Sequence, residues 1–260
     1  MRTPSPEVRT RSHGRRRTPH PAPVAQPAMG RSRSRPWRSP WIGGLVLVLV
    51  AGCFSTPAPA AGPAVDAGSL GRQAQEASTL DGSYRIYFDW SLNEPGMRLS
   101  GRGVARVEGP FRARLDLFVG NGERVAAAAL VDDDLRIPSG MGDFVPPATL
   151  LWGTLGVFRP GPGAAPMEAI RSDGGHASIR YRVAGGGELS YTLLDRWVER
   201  MERVSAQGVR EDLRLTRDRG ERFPREAVYR HHGATRELRL TLESVEYVEA
   251  FPSDIWNPGR

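Results

Sequence analysis

The sequence predicts an α+β fold that is mainly antiparallel β: a curled, unclosed β-barrel of about ten to eleven strands, with an N-terminal helix and a mid-chain helix that plugs or caps the concave face. Three observations carry that prediction. From residue 83 to residue 247 apolar side chains recur at every second position in short runs, the period of a half-buried strand. Glycine-containing turns such as Asn121-Gly122, Gly185-Gly186-Gly187 and Gln207-Gly208 separate consecutive runs, which favours hairpins. Only two stretches, 66–80 and 148–158, are assigned to helices.

The elements follow in order. Residues 66–80 read as a short, weakly amphipathic helix stopped by Asp81-Gly82. Tyr84, Ile86, Phe88 and Trp90 then share one strand face, with Arg85, Tyr87 and Asp89 opposite. A second strand, 98–107, contains Gly101 and Gly103, the mark of a bent or closely approached strand. In the third, Phe111, Ala113, Leu115, Leu117 and Val119 oppose Arg112, Arg114 and Asp116. Asn121-Gly122 implies a type I′ turn that returns the chain into Val125, Ala127, Ala129 and Val131 on one face. Asp132-Asp133-Asp134 makes a turn, and 135–138 adds a short strand.

Pro146-Pro147 opens the helix over 148–158, with Leu151, Thr154, Leu155 and Phe158 at helical spacing, and Pro160-Gly161 closes it. Alternation resumes beyond a Gly/Pro loop, where Ile179, Tyr181 and Val183 form a hairpin with Leu189, Tyr191 and Leu193. Residues 197–204 fit helical spacing at Trp197, Met201 and Val204, but the flanking pattern and the Gln207-Gly208 turn favour a strand. Val209, Leu213 and Leu215 mark the next strand, 228–231 another, and Leu238, Leu240 and Leu242 the last. Its alternation slips by one before Val245 and Tyr247, which implies a bulge near Glu243-Ser244.

The formal charge of +7 suggests a nucleic-acid or anionic-membrane binder until the charge is located. Residues 1–52 hold ten Arg and one acidic residue, Glu7, whereas 53–260 hold 26 Arg and 28 Asp plus Glu, a net of −2. The basic character belongs to the front of the chain, and nucleic-acid binding is set aside. The absence of Lys reflects compositional bias rather than phosphate recognition. A single Cys excludes an intramolecular disulfide framework and a Cys-based zinc cluster.

That Cys stands in a telling place. An Arg-rich stretch from Met29 leads into the apolar run Ile42-Gly43-Gly44-Leu45-Val46-Leu47-Val48-Leu49-Val50, too short to span a bilayer, which takes roughly 20 residues. Ala51-Gly52-Cys53 follows. Val50-Ala51-Gly52-Cys53 resembles the bacterial lipobox, and the resemblance implies a lipidated mature N-terminus at Cys53 with stable membrane anchoring. Residues 1–28 lie too far upstream to act as the n-region, so either translation starts at Met29 or they form a disordered extension. Residues 53–65, rich in Pro, Ala and Gly, read as a flexible tether, and 66–260 as the folded domain. Phe54, rather than Asp, after the Cys favours the outer membrane by the same resemblance.

The lipidated leader, N-terminal helix, curled sheet and inserted apolar helix together resemble the lipoprotein-localisation factors LolA and LolB over about residues 66–256. The pieces that carry the likeness are Gly101-Arg102-Gly103-Val104-Ala105-Arg106-Val107, the segment 147–158, and Phe223-Pro224 with the closing strands to Phe251 and Trp256. The resemblance implies an unclosed barrel that holds acyl chains, in the LolB branch on an outer-membrane lipoprotein. One departure is the tight Gly120-Asn121-Gly122-Glu123 turn, which lacks the apolar tip that LolB presses into the membrane.

The residues expected on the concave face, lining a lipid cavity or filling a solid core, are Phe88, Leu115, Leu117, Ala127, Ala129, Leu151, Trp152, Leu155, Tyr181, Tyr191, Leu213 and Leu240. Asp132-Asp133-Asp134 lacks the alternating ligands of a cation loop, and His176, His231 and His232 have no spacing matched to acidic or Cys partners. Ser139 and Ser190 lie outside a nucleophile-elbow pattern. No catalytic set, metal or cofactor is expected. The reading is a periplasm-facing, outer-membrane-anchored protein binding acyl chains of lipoproteins or lipids, the alternative being an anchored scaffold or sensor that binds another envelope protein.

Overall fold

The protein is described here from a computed structural model that covers residues 62–140 and 144–258. The leader, Val50, Ala51, Gly52, Cys53 and the first part of the tether lie outside the described residues.

Two meanders make one sheet. The first runs through β1 (Ser83–Glu94), β2 (Met97–Glu108), β3 (Arg112–Val119), β4 (Arg124–Val131) and β5 (Asp134–Arg136). The second runs through β6 (Ala165–Arg171), β7 (His176–Arg182), β8 (Gly187–Leu194), β9 (Trp197–Ser205), β10 (Arg210–Thr216), β11 (Glu226–His231) and β12 (Arg236–Val248). Antiparallel pairing of β12 with β1 joins them, among the described residues, into a twelve-stranded sheet whose outermost strands are β5 and β6. This is the curled, unclosed antiparallel sheet that the alternation predicts. The strand beyond the expected count is β6, where Pro166 and Gly-rich flanks mask the period and only Ala169 is buried. On its outer side Val65 N–H donates to the Ala169 carbonyl and Arg171 N–H to that of Pro63, so residues 63–65 of the expected tether are paired rather than free.

Helix α1 (Ala67–Ser78) starts where Asp66 Oδ1 accepts from the Ser69 N–H at 2.7 Å, an N-cap bond. Leu70, Gly71, Ala74 and Ser78 turn inward over β6, β7 and β9. Gly71 is needed there because a Cβ would strike the Tyr181 hydroxyl. Helix α2 (Ala148–Thr154) is shorter than predicted. Gly156 takes φ +74, its N–H donates to Gly153 O at 2.7 Å and the Val157 N–H to Trp152 O at 3.1 Å, the paired bonds that end a helix at a left-handed residue. Val157 and Phe158 continue as buried extended chain.

Both helices lie on one face of the sheet, the inner face, and there the core forms from Leu92, Leu117, Ile179, Leu189, Tyr191, Met201 and Leu213 under Trp152 and Phe158. At the β1–β12 pair, Tyr87 faces Ser244 and Phe88 faces Leu242, leaving Glu243 as the bulge predicted from the slipped alternation.

The β3–β4 hairpin corrects two expectations. Positive φ falls on Gly122 (φ +82) and not on Asn121, so the loop is not a type I′ turn. The register also skips Val125, because Leu117 pairs with Ala126 and Phe118 with Arg124. A one-residue slip exchanges the faces of a strand. Ala126, Ala128 and Leu130 therefore join the inner core, while Ala127 and Ala129 sit on the outer face beside Asp116 and Arg114. That outer patch is covered by the 3-10 helix Ser253–Trp256. Asp116 is 2% exposed and takes ion pairs from Arg106, Arg114 and Arg124, and Arg114 Nη1 donates to Ile255 O at 2.7 Å.

Candidate functional site

Among the described residues the inner face leaves an apolar cleft. Its floor is Ile86 and Phe88 of β1, Ala105 of β2, Leu115 of β3, Ala227 of β11, and Leu240 and Leu242 of β12. Its roof is Thr154 and Leu155 at the end of α2, with Phe223 and Pro224 from the β10–β11 loop. The strand period puts the floor residues on one face, while Gly103 lets the Phe88 ring lie flat across β2, since a Cβ there would overlap it. The cleft encloses about 40 Å³. That is space for one or two waters at roughly 30 Å³ each, and about a tenth of a usual small-molecule site, roughly 300–1,000 Å³. A smaller void of about 10 Å³ lies on the other side of Leu155, beneath Leu151 and above Ala113, Ala128 and Leu130. In this state the helix fills the concave face.

The expected site residues divide accordingly. Phe88, Leu115, Leu155 and Leu240 meet at the cleft and Leu151 at the smaller void. Leu117 and Leu213 are core residues, Leu213 lying under Gly153, where an added Cβ would press on it and on Met201. Trp152 points away from the cleft, its indole N–H donating to Asp132 O at 2.8 Å and its ring edge-on to Phe111 at 6.1 Å. Tyr181 and Tyr191 belong to the half covered by α1, where the Phe158 ring stands 4.2 Å from Tyr191. Ala127 and Ala129 lie on the outer face.

Sequence reasoning missed Ile86 and Leu242, although each shares a face with a named neighbour two positions away. It also left Phe223-Pro224 out of the concave-face set, although that pair is among the pieces that carry the resemblance.

At the rim, Phe223 stands edge-on to Tyr84 at 5.2 Å, and the Tyr84 hydroxyl donates to Asp81 Oδ1 at 2.9 Å. That hydrogen bond, with burial and the Asp81 charge, raises the phenol pKa above its ordinary value. Past the bulge, β12 continues the inner-face row with Val245 opposite Ile86 and Tyr247 opposite Tyr84, 40% and 74% exposed. The cleft thus leads to solvent along an apolar row. Among the described residues no group of three His, Cys, Asp or Glu is placed to hold a metal, and no helix is long and apolar enough to cross a membrane.

The described residues thus form an unclosed antiparallel sheet with its inner face roofed by helices over a largely apolar cleft. This fold is similar to that of solved LolA superfamily structures. A LolA superfamily protein of Nitrosomonas europaea matches at TM-score 0.50 and 12% identity, covering 74% of this chain and 98% of that one. A putative outer membrane lipoprotein-sorting protein domain from Vibrio parahaemolyticus matches at TM-score 0.45 and 9% identity, covering 73% and 95%. A DUF1329 family protein from Desulfovibrio piger matches at TM-score 0.46 and 9% identity, also covering 73% and 95%. No protein-family model and no curated protein matches the chain. The likeness is therefore one of fold.

Proposed function

We propose that this chain is an envelope lipoprotein, anchored to the outer membrane through Cys53 and facing the periplasm, that binds acyl chains of lipoproteins or lipids for lipoprotein localisation or lipid transfer. The observation that carries the reading is the cleft beneath Leu155, lined by apolar side chains apart from Thr154 and continued to solvent by Leu242, Val245 and Tyr247. Its small volume makes α2 the moving part. The helix has seven residues and no side-chain N-cap bond; it packs on β9, β10 and β11, and the void of about 10 Å³ separates its Leu151 and the following Leu155 from Ala105, Ala113 and Ala128. An acyl chain that replaces it on that floor gains about 0.8 kcal/mol per buried methylene, which offsets the cost of lifting Leu151 and Leu155. No cofactor takes part.

The test is to purify the Cys53→Ser chain and analyse it by mass spectrometry for co-purified or exchangeable acyl lipid. Finding none, under conditions where added lipid also fails to bind, removes the reading.

The nearly filled inner face supports a second reading, an anchored scaffold or sensor whose charged outer face binds another envelope protein. Pull-down from envelope extracts that returns no partner removes that one.

A further inference from the structure

The loop from β10 to β11 carries two arginines that the ion-pair pattern of the rest of the protein leaves out. Elsewhere on the sheet, sheltered guanidinium groups sit on carboxylates, as Arg114 does on Asp116, Arg159 on Asp133 and Arg236 on Glu94. Arg217 and Arg222 form no salt bridge among the described residues. Both stack on one indole, Arg217 Cζ lying 4.7 Å and Arg222 Cζ 5.2 Å from the Trp197 ring centroid. Arg217 Nη1 donates to the carbonyls of Glu221 and Arg222, and Arg222 Nη2 to that of Ser78. Three donors remain buried without an acceptor: Arg217 Nε and Nη2, and Arg222 Nη1. Burial first, and the neighbouring Arg222 second, lower the Arg217 pKa to about 10. Two adjacent cations with unmet buried donors are costly, and an oxyanion supplies what both lack.

Their position says from which side. Phe223 and Pro224, next along the chain, roof the apolar cleft. Gly156, at the end of α2, is the residue packed against both Arg217 Nη2 and Pro224. On the solvent side Arg217 and Trp197 border an open pocket of about 620 Å³, where Arg219 is outnumbered by Asp195, Glu199, Asp218 and Glu221, a balance that disfavours a free anion. The approach to the buried donors that avoids these carboxylates is from the cleft, once α2 and Gly156 withdraw.

We infer that Arg217 and Arg222 seat the phosphate group of an anionic amphiphile whose chain lies in the cleft, so that the cargo is a phospholipid-like molecule and not a neutral diacylglyceryl group. The inference rests on the acyl-chain reading of the cleft. The guanidinium fork provides two parallel donors to a phosphate, which a lysine does not.

The test is calorimetric titration of the Cys53→Ser chain with dihexanoyl phosphatidic acid, dihexanoylglycerol and inorganic phosphate. The same titrations are made on Arg217→Gln, Arg222→Gln and the double variant, each checked by circular dichroism. The acid is expected to bind at least about tenfold tighter than the glyceride, with the double variant losing that preference while keeping glyceride binding. Equal binding of acid and glyceride overturns the inference and leaves the acyl-chain reading standing. Binding of neither amphiphile removes the acyl-chain reading and the inference with it. Inorganic phosphate binding as tightly as phosphatidic acid overturns the link between pair and cleft. Should the Gln variants unfold, Arg217→Lys keeps the charge without the fork, and an undiminished preference in it overturns the inference.

Discussion

The indole N–H of Trp152 donates to the carbonyl of Asp132 at 2.8 Å, fastening the middle of α2 to the turn between β4 and β5. Asp132 holds φ +56 to present that carbonyl, and its neighbour Asp133 accepts from Arg159 Nε and Nη2, each at 2.7 Å. One turn thus grips both the helix and the chain leaving it. Trp152→Phe keeps most of the ring and removes the donor. It is expected to cost about 0.5–1.5 kcal/mol in denaturant unfolding, the net worth of one part-buried hydrogen bond. If α2 is the part that lifts, the same variant takes up a fluorescent fatty acid faster than the parent. Unchanged uptake in the destabilised variant separates α2 from cargo entry.

Two glycines on β2 predict different outcomes for the same substitution. A Cβ at Gly101 overlaps the backbone carbonyl of Phe118, which also accepts from Trp90 Nε1 at 3.1 Å. Gly101→Ala must push two strands apart and break that bond, an expected loss of more than about 2 kcal/mol. A Cβ at Gly103 meets the far edge of the Phe88 ring, which borders the 40 Å³ cleft and has space to turn into it. Gly103→Ala is expected to cost roughly 1 kcal/mol and to weaken acyl-chain binding by closing the cleft. Denaturant titration of both variants, with a binding titration of the second, checks the contrast.

The sequence made the sheet legible wherever polar residues marked the opposite face. On β1 the Arg85, Tyr87 and Asp89 side identifies Phe88 as inward, and the parity change between Leu242 and Val245 exposes the Glu243 bulge. On β4 the run Val125-Ala126-Ala127-Ala128-Ala129-Leu130-Val131 has no polar member, so alternation alone cannot choose between its faces, and the skipped Val125 reverses the choice. Burial of Asp116 was hidden for another reason. Its cover, the segment around Trp256, is remote in sequence, and nothing in the local alternation calls for it. The arginine pair on Trp197 is set by a loop, where no period applies.

On the outer face of β12, acid should act through Glu237. Burial pushes its carboxyl upward, but hydrogen bonds from Arg230 at 2.8 Å and Arg239 at 3.2 Å outweigh burial and hold it below the ordinary value of 4.5. A carboxyl with a depressed folded-state pKa stabilises the fold above its unfolded value, and that contribution is lost as pH falls through the folded value. Glu237→Gln is therefore expected to lower the melting temperature near neutral pH by an amount worth about 1 kcal/mol or less, given partial exposure of the pair. The gap to the parent should close as pH falls below the ordinary carboxyl value of 4.5. Melting curves from neutral pH downward check it, and a gap that widens toward acid contradicts the assignment.

Asp116 tests whether stability and binding are separable, because it is buried on the outer face, across the sheet from the cleft. Arg106 donates to it at 2.7 Å, Arg114 at 2.9 and 3.0 Å, and Arg124 at 3.4 Å. Arg114, 14% exposed, is the partner least able to recover water when the charge is removed. Asp116→Asn leaves it beside a neutral amide while it still holds the Ile255 carbonyl, an expected loss of roughly 2–3 kcal/mol. Ala127 and Ala129, packed beside the same group, should then loosen together with the segment ending at Trp256, and proteolysis there should quicken. The side chains of Phe88, Leu115 and Leu155 lie on the opposite face of the sheet from the Asp116 carboxylate. Acyl-chain affinity, measured at a temperature where the variant is fully folded, should match the parent. A tenfold or greater loss of affinity there would mean that the outer face shapes the cleft through the sheet, and that the two faces work as one unit.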